Sequence, residues 1–245
     1  MLAKTYLQNM QALLGELIDK QTGNIERAAE AIASAIAAGH SLFGFGCNHS
    51  LLPILDIYYR AGGLMLLNPI IAPGLLLELH PPTLTSKMEQ LEGYGAIALA
   101  SAPIKPGDVL ILISVSGRNA VPVDVALHAK MLGATVIGVT SRAFSDSVTP
   151  RNKQGKMLID VVDIVIDNLV PPGDASLSLA GVPQKFTPVS GVSSVALMHA
   201  LMAETIERLV ARGITPPVYM SGNMEGGAAY NDQQLAANAD HIFYL

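Results

Sequence analysis

The sequence predicts a doubly wound α/β fold: a five-stranded parallel sheet flanked by helices, preceded by helices and followed by a tail. Three observations predict it. Segments such as PGDVLILISVSG (106–117) and TVIGVTS (135–141) are apolar on both faces, as strands covered from both sides must be. They alternate with stretches of helical periodicity, the order that produces parallel pairing. The chain has 245 residues, half of them hydrophobic and only 14% charged, enough for one large core.

Each element follows in turn. Leu2, Tyr6, Leu7, Met10, Leu13, Leu14, Leu17 and Ile18 recur at helical spacing and predict an amphipathic helix. A second helix is expected over 24–38, with Asn24 as N-cap and Gly39 as its stop. SLFGFG (41–46) reads as a short buried strand. Residues 50–61 read as a helix, with Pro53 tolerated in its first turn. GLMLLN (63–68) is a second strand, 69–85 a proline-rich connection or lid, and 86–100 a helix. The strand at 106–117 leads to a helix over 119–134 and a strand over 135–141. MLIDVVDIVIDN (157–168) holds a fifth strand, 171–188 reads as a loop, and 191–212 as a long apolar helix. The expected division is N-terminal helices over 1–39, the sheet domain over 40–212, and a C-terminal extension over 213–245. That extension is expected to dock on the domain or on a partner subunit.

Charge and composition exclude several classes. The formal charge is −5 with no basic cluster, so a nucleic-acid partner is not expected. The start of the chain has neither the unbroken apolar stretch nor the cleavage site of a signal peptide, and no run of eighteen apolar residues occurs. Cys47 stands alone, consistent with a reducing cytoplasm. A cytoplasmic protein with no membrane association is expected. So large an apolar fraction also predicts a homodimer or higher homo-oligomer.

In such sheets ligands bind beyond the carboxyl ends of the strands. Three strand ends here are small and polar: GFGCNHS, ISVSGRN and VTS. Hydroxyls beside the exposed N–H groups of a helix start make a cradle for an oxyanion. Ser114, Ser116 and Asn119 can donate without carrying charge, although Asn119 alone also reads as a helix N-cap. A dinucleotide fingerprint would need a third glycine where His49 sits, and an acid where 57–77 has none. The nucleotide-hydrolase phosphate loop is absent, and ISVSG lacks the first glycine of a hydrolase nucleophile elbow. The six histidines show no metal spacing, and Cys47 has the habits of a small buried residue. No metal and no cofactor are expected.

The stretches GFGCN, ISVSGRNAVPVDVALHAKMLGATVIGVTS and the strand ending VIDN resemble the sugar isomerase (SIS) domain family of phosphosugar isomerases and phosphosugar-binding regulators. YYRAGGLMLLNPI (58–70) and PPVYMSGNMEGGAAYN (216–231) are similar to a bacterial SIS subfamily described as phosphosugar isomerases of unsettled substrate. The resemblance covers nearly the whole chain. It implies a flavodoxin-like five-stranded sheet, and dimers with sites near the subunit interface. It also implies a sugar phosphate held by Ser114, Ser116, Gly117 and Asn119, with Gly46 and Asn48 on the first-strand loop. The family usually has serine where this chain has Asn48. His49, Asp56 and His199 are the implied candidates for proton transfer in aldose–ketose isomerisation through an enediol. The subfamily usually places two acids where this chain has Leu55 and Asp56. Asp56 equally suits an i, i+4 pair with Arg60, and His199 a core position. The expected ligand is a sugar phosphate or amino-sugar phosphate; the alternative activity is non-catalytic sensing of the same ligand.

Overall fold

The computed structural model describes residues 1–245. Five parallel strands stand in the order β2-β1-β3-β4-β5. They are β1 (Leu42–Gly46), β2 (Leu67–Pro69), β3 (Val109–Ile113), β4 (Thr135–Thr140) and β5 (Ile164–Asp167). Every residue of β1 and β3 is buried, as the unbroken apolar runs require. Their pleat splits the core in two. Leu42, Ile111, Ile113, Val139 and Ile166 pack against α1 (Leu2–Ala37), α2 (Leu52–Ile57) and α7 (Ser190–Ala211). Phe43, Phe45, Leu110, Leu112 and Val136 face the other way, toward α4 (Tyr94–Leu99) and α5 (Ala120–Met131). The strand order reverses between β1 and β3, so a crevice opens at their carboxyl ends.

The two expected N-terminal helices are one helix of 36 residues. Thr22-Gly23-Asn24 resembles a turn, yet Asn24 caps nothing. Its amide donates to Gln21 at 2.9 Å, and the Thr22 hydroxyl bonds back to Ile18 at 2.6 Å. Gln21 is buried, and its side-chain oxygen accepts the Asp167 backbone N–H at 2.9 Å, tying mid-helix to the end of β5. Packing along α7 outweighs the cost of a mid-helix glycine, about 1 kcal/mol. The helix ends where expected. Gly39 is left-handed at φ +81°, its N–H meets the Ile36 carbonyl at 3.0 Å and that of His40 meets Ala35 at 2.9 Å.

Three further boundaries differ. The expected helix over 50–61 ends at Ile57, preceded by a 3₁₀ turn over Asn48–Leu51. The strand expected over 63–68 shrinks to Leu67–Pro69, because Leu64 bridges Val218 and Met65 donates to Pro217 instead. The helix expected over 86–100 is two: α3 (Thr83–Met88), then α4 after Gly93 at φ +79°. The expected loop at 171–188 contains an antiparallel hairpin, β6 (Leu177–Leu179) and β7 (Val182–Phe186), whose side chains are mostly exposed. A short α6 (Arg142–Asp146) follows β4.

After α7 the chain crosses back to the β2 edge. Tyr219 pairs by backbone with Gly62 and Gly63, and α8 (Gly227–Ala237) follows. Residues 241–243 then lie beside Asn68, whose amide donates to His241 at 2.9 Å and whose oxygen accepts Phe243 N–H at 2.7 Å. Phe243 stacks on Phe43 at 5.8 Å, and the Tyr219 and Tyr244 hydroxyls meet at 2.7 Å. No helix is long and apolar enough to cross a membrane.

Candidate functional site

At the carboxyl end of β1 the chain folds back sharply. A Cβ on Gly46 would stand 2.4 Å from the Ser50 carbonyl oxygen, so only glycine fits. Cys47 turns into the core and Asn48 takes a left-handed φ of 54°. The Asn48 N–H donates to Leu75 at 2.8 Å, pinning the loop to the proline-rich connection. At the end of β3, Ser114 is buried and its N–H donates to Val139. Gly117 is left-handed at φ +64°, and an added Cβ would meet Leu158 and Thr140. Asn119 sits at the N-cap position of α5, but its side chain makes no capping bond, and its buried Oδ1 has no partner.

These two turns enclose a cavity of about 220 Å³. Asn48, His49, Ser114, Ser116 and Asn119 all line it, joined by Glu89 and Asp174. Gly46 and Gly117 shape the backbone beside it. Asp56 and His199 do not line the cavity. They meet each other: His199 Nε2 lies 2.8 Å from Asp56 Oδ2, and Arg60 lies 2.8 Å from the same oxygen. His199 is about half exposed on the outer side of α7, not in the core.

Two lining carboxylates escape sequence reasoning. Glu89 sits at the end of α3, where its carboxylate accepts the Asn48 amide at 3.0 Å and its backbone carbonyl accepts Val121 N–H at 3.0 Å. Treating 86–100 as one helix hides it; the Glu92-Gly93 step was the available signal for the break. Asp174, left-handed at φ 52°, accepts the N–H groups of Val189 and Ser190 and the Ser190 hydroxyl, and so closes the start of α7. Its signal was the Pro-Pro-Gly-Asp turn.

The charge inventory is unusual for an anion site. No lysine or arginine lines the cavity. The α5 start offers few amides, since Val121 N–H is taken by Glu89 and Pro122 has none. Hydroxyls of Ser114 and Ser116, carboxamides, and the amides of the 116–120 turn are the donors that remain. Burial pushes the Cys47 thiol well above its usual pKa, and the nearby Glu89 charge adds to it, so Cys47 is not poised as a nucleophile. The arrangement suits a compact, uncharged-donor grip on an oxyanion with a carboxylate and a histidine at hand.

The chain belongs to the SIS domain family, whose model matches residues 5–141. Within it, the chain is similar to UPF0309 proteins: 42% identical over 98% of both chains to that of Shouchella clausii, and 41% identical to that of Streptomyces griseus over 99% of this chain and 97% of the relative. Among solved structures, a phosphoheptose isomerase from Francisella tularensis superposes with a TM-score of 0.56 at 15% identity, covering 84% of this chain and 96% of that one. The sugar isomerase domain of an RpiR transcription factor from Sphaerobacter thermophilus gives 0.50 at 18%, covering 86% and 94%. At such identities these two likenesses establish the fold alone.

Proposed function

We propose that the protein binds a sugar phosphate or amino-sugar phosphate in this cavity and interconverts its aldose and ketose forms through an enediol. The observation that carries the reading is the convergence of Asn48, His49, Ser114, Ser116, Asn119 and Glu89 on one hollow from three separate segments. Its volume falls below the roughly 300–1,000 Å³ of drug-sized pockets, which favours a compact monophosphate over a dinucleotide. The SIS fold shared with the phosphoheptose isomerases supports the ligand class.

The phosphate takes the Ser114 and Ser116 hydroxyls, the Asn119 carboxamide and the amides around Gly117, while Gly46 and Asn48 close the first-strand side. Glu89 is the base: it removes the C2 proton of the open-chain aldose and returns it to C1. His49 protonates O1 as charge builds there and then takes the proton from O2, which becomes the ketose carbonyl. Asn48 holds Glu89 through the bond to one oxygen and leaves the other for substrate. Asp56 and His199, engaged with each other and Arg60, are proposed as structural partners and not as the proton carriers.

The test is a thermal-shift panel of sugar phosphates, followed by solvent-deuterium incorporation at C2 of whichever compound binds. Ser116→Ala should abolish the shift. Glu89→Gln should stop exchange by at least about 10²-fold while sparing binding, and Asp56→Asn should leave exchange nearly intact. No shift with any compound defeats the proposal. Tight binding without exchange favours the second reading, a phosphosugar sensor, which the likeness to the RpiR sugar isomerase domain supports.

A further inference from the structure

The sugar-phosphate hollow uses neither YYRAGG (58–63) nor VYMSGNMEGGAAYN (218–231), and the fold brings these two stretches together. Val218 bridges Leu64 in antiparallel fashion. The Gly62 N–H donates to the Tyr219 carbonyl at 2.8 Å, and the Tyr219 N–H donates to Gly63 at 3.0 Å. The Asn231 carboxamide grips the Met220 backbone on both sides, accepting its N–H and donating to its carbonyl, each at 2.9 Å. Between the two stretches lies a cavity of about 350 Å³. It is larger than the hollow at the β1–β3 switch and shares no lining residue with it. Ala228, Asn231, Asp232 and Leu235 of α8 line it together, as their i, i+3, i+4 and i+7 spacing allows.

Tyr59 lines the same cavity with φ +45°, a left-handed backbone that bulky residues rarely adopt. Burial does not account for it, because the residue is 62% exposed. Its ring meets that of Tyr219 edge-on, with centroids 5.3 Å apart at 73°. Backbone strain of this kind clusters at ligand contacts. Two opposite charges also line the cavity without pairing. Arg60 engages Asp56 through Nη1 alone, 2.8 Å from the carboxylate and 3.0 Å from the backbone carbonyl, so Nη2 and Nε bond nothing in the chain. Asp232 is exposed, and its carboxylate has neither an ion pair nor a hydrogen bond.

We infer that this cavity binds a free aromatic α-amino acid. Its carboxylate takes the open Nη2 and Nε edge of Arg60, and its ammonium takes Asp232. The charge type follows from the two walls. A plain cation would meet the Arg60 guanidinium, and a plain anion would face Asp232, whereas a zwitterion suits both. The side chain lies against Tyr59, Tyr219 and Leu235, where a third ring completes the edge-to-face pair and the Met220 sulfur is at hand. The volume sits near the lower end of the roughly 300–1,000 Å³ of small-molecule sites, which suits one amino acid better than a peptide.

Isothermal titration calorimetry of the 245-residue chain with L-phenylalanine tests this. One molecule should bind per chain with a Kd below about 1 mM. N-acetyl-L-phenylalanine lacks the ammonium and L-phenylalaninamide lacks the carboxylate; each should bind at least about tenfold more weakly. Asp232→Asn should weaken the parent ligand to the same degree. Tyr59→Gly should abolish the binding heat while melting stays near wild type, because glycine adopts the left-handed backbone freely. Ser116→Ala should leave phenylalanine binding unchanged, which separates this cavity from the sugar-phosphate hollow. Silence with phenylalanine, tyrosine and tryptophan alike overturns the inference, as does equal binding of the amide or the N-acetyl form. So does binding that survives Tyr59→Gly and Asp232→Asn, or that Ser116→Ala removes. Should either variant fail to fold, the two blocked ligands still decide the question on the wild-type chain.

Discussion

Gly46 decides whether the first-strand loop exists. Its missing side chain lets Ser50 fold back within 2.4 Å of where a Cβ would be, and that fold-back presents Asn48 and His49 to the cavity. A backbone oxygen cannot yield as a flexible side chain can. Gly46→Ala should therefore cost about 1–3 kcal/mol in chemical denaturation, the usual range for overpacking, and abolish any sugar-phosphate thermal shift. A variant of wild-type stability and affinity would show that the loop tolerates another course. Gly117 is different: its neighbour is the Leu158 side chain, but its left-handed φ makes any substitution strained.

At the scale of elements, α1 gives the sharpest check on the helix that replaced two. Gly23 lies mid-helix with open space where a Cβ would go. Gly23→Ala should raise stability by about 0.5–1 kcal/mol, measured by urea denaturation. If the chain turned there, the same change would gain nothing. The element also shows what was legible. The strands announced themselves because double-sided burial writes continuous apolar runs, and the Ser114-to-Asn119 turn because a polar cluster after such a run has few other uses. The 19–24 break misled because Thr22 bonds back to Ile18 and Asn24 to Gln21 within the helix, while Gln21 is held by the Asp167 N–H at the end of β5, a tertiary contact with no local signature. Glu89 was invisible for a related reason: only the folded approach of α3 to the β1 loop pairs it with Asn48. Asp56 and His199 read in the sequence as proton-transfer candidates, yet neither lines the cavity; they pair with each other across α2 and α7, which helical spacing cannot say.

Across the whole molecule, the last residues complete the β2 edge. Removing 241–245 would strip the Asn68 bonds, the Phe243 stack on Phe43 and the Tyr244 hydroxyl bonds to Tyr219 and Met65. The truncated chain should lose about 2–4 kcal/mol of stability, from buried apolar area and unpaired buried groups. It should still bind ligand, because the cavity lies at the β1–β3 switch and shares no lining residue with the tail. Burial, more than its bond to Tyr219, raises the Tyr244 hydroxyl above ordinary tyrosine; the docked tail is therefore fully stabilised below the usual tyrosine range and weakens as pH rises through it, so alkaline titration should loosen that end of the chain.

Asp174 belongs to two territories at once. Its carboxylate closes the start of a 22-residue helix, and the same residue forms one wall of the hollow at the sheet's edge. A guest that pushes on that wall therefore pushes on the end of a rod whose far flank carries Ala200 and His199. Replacing Asp174 would therefore unfasten the helix start and open the hollow in one stroke.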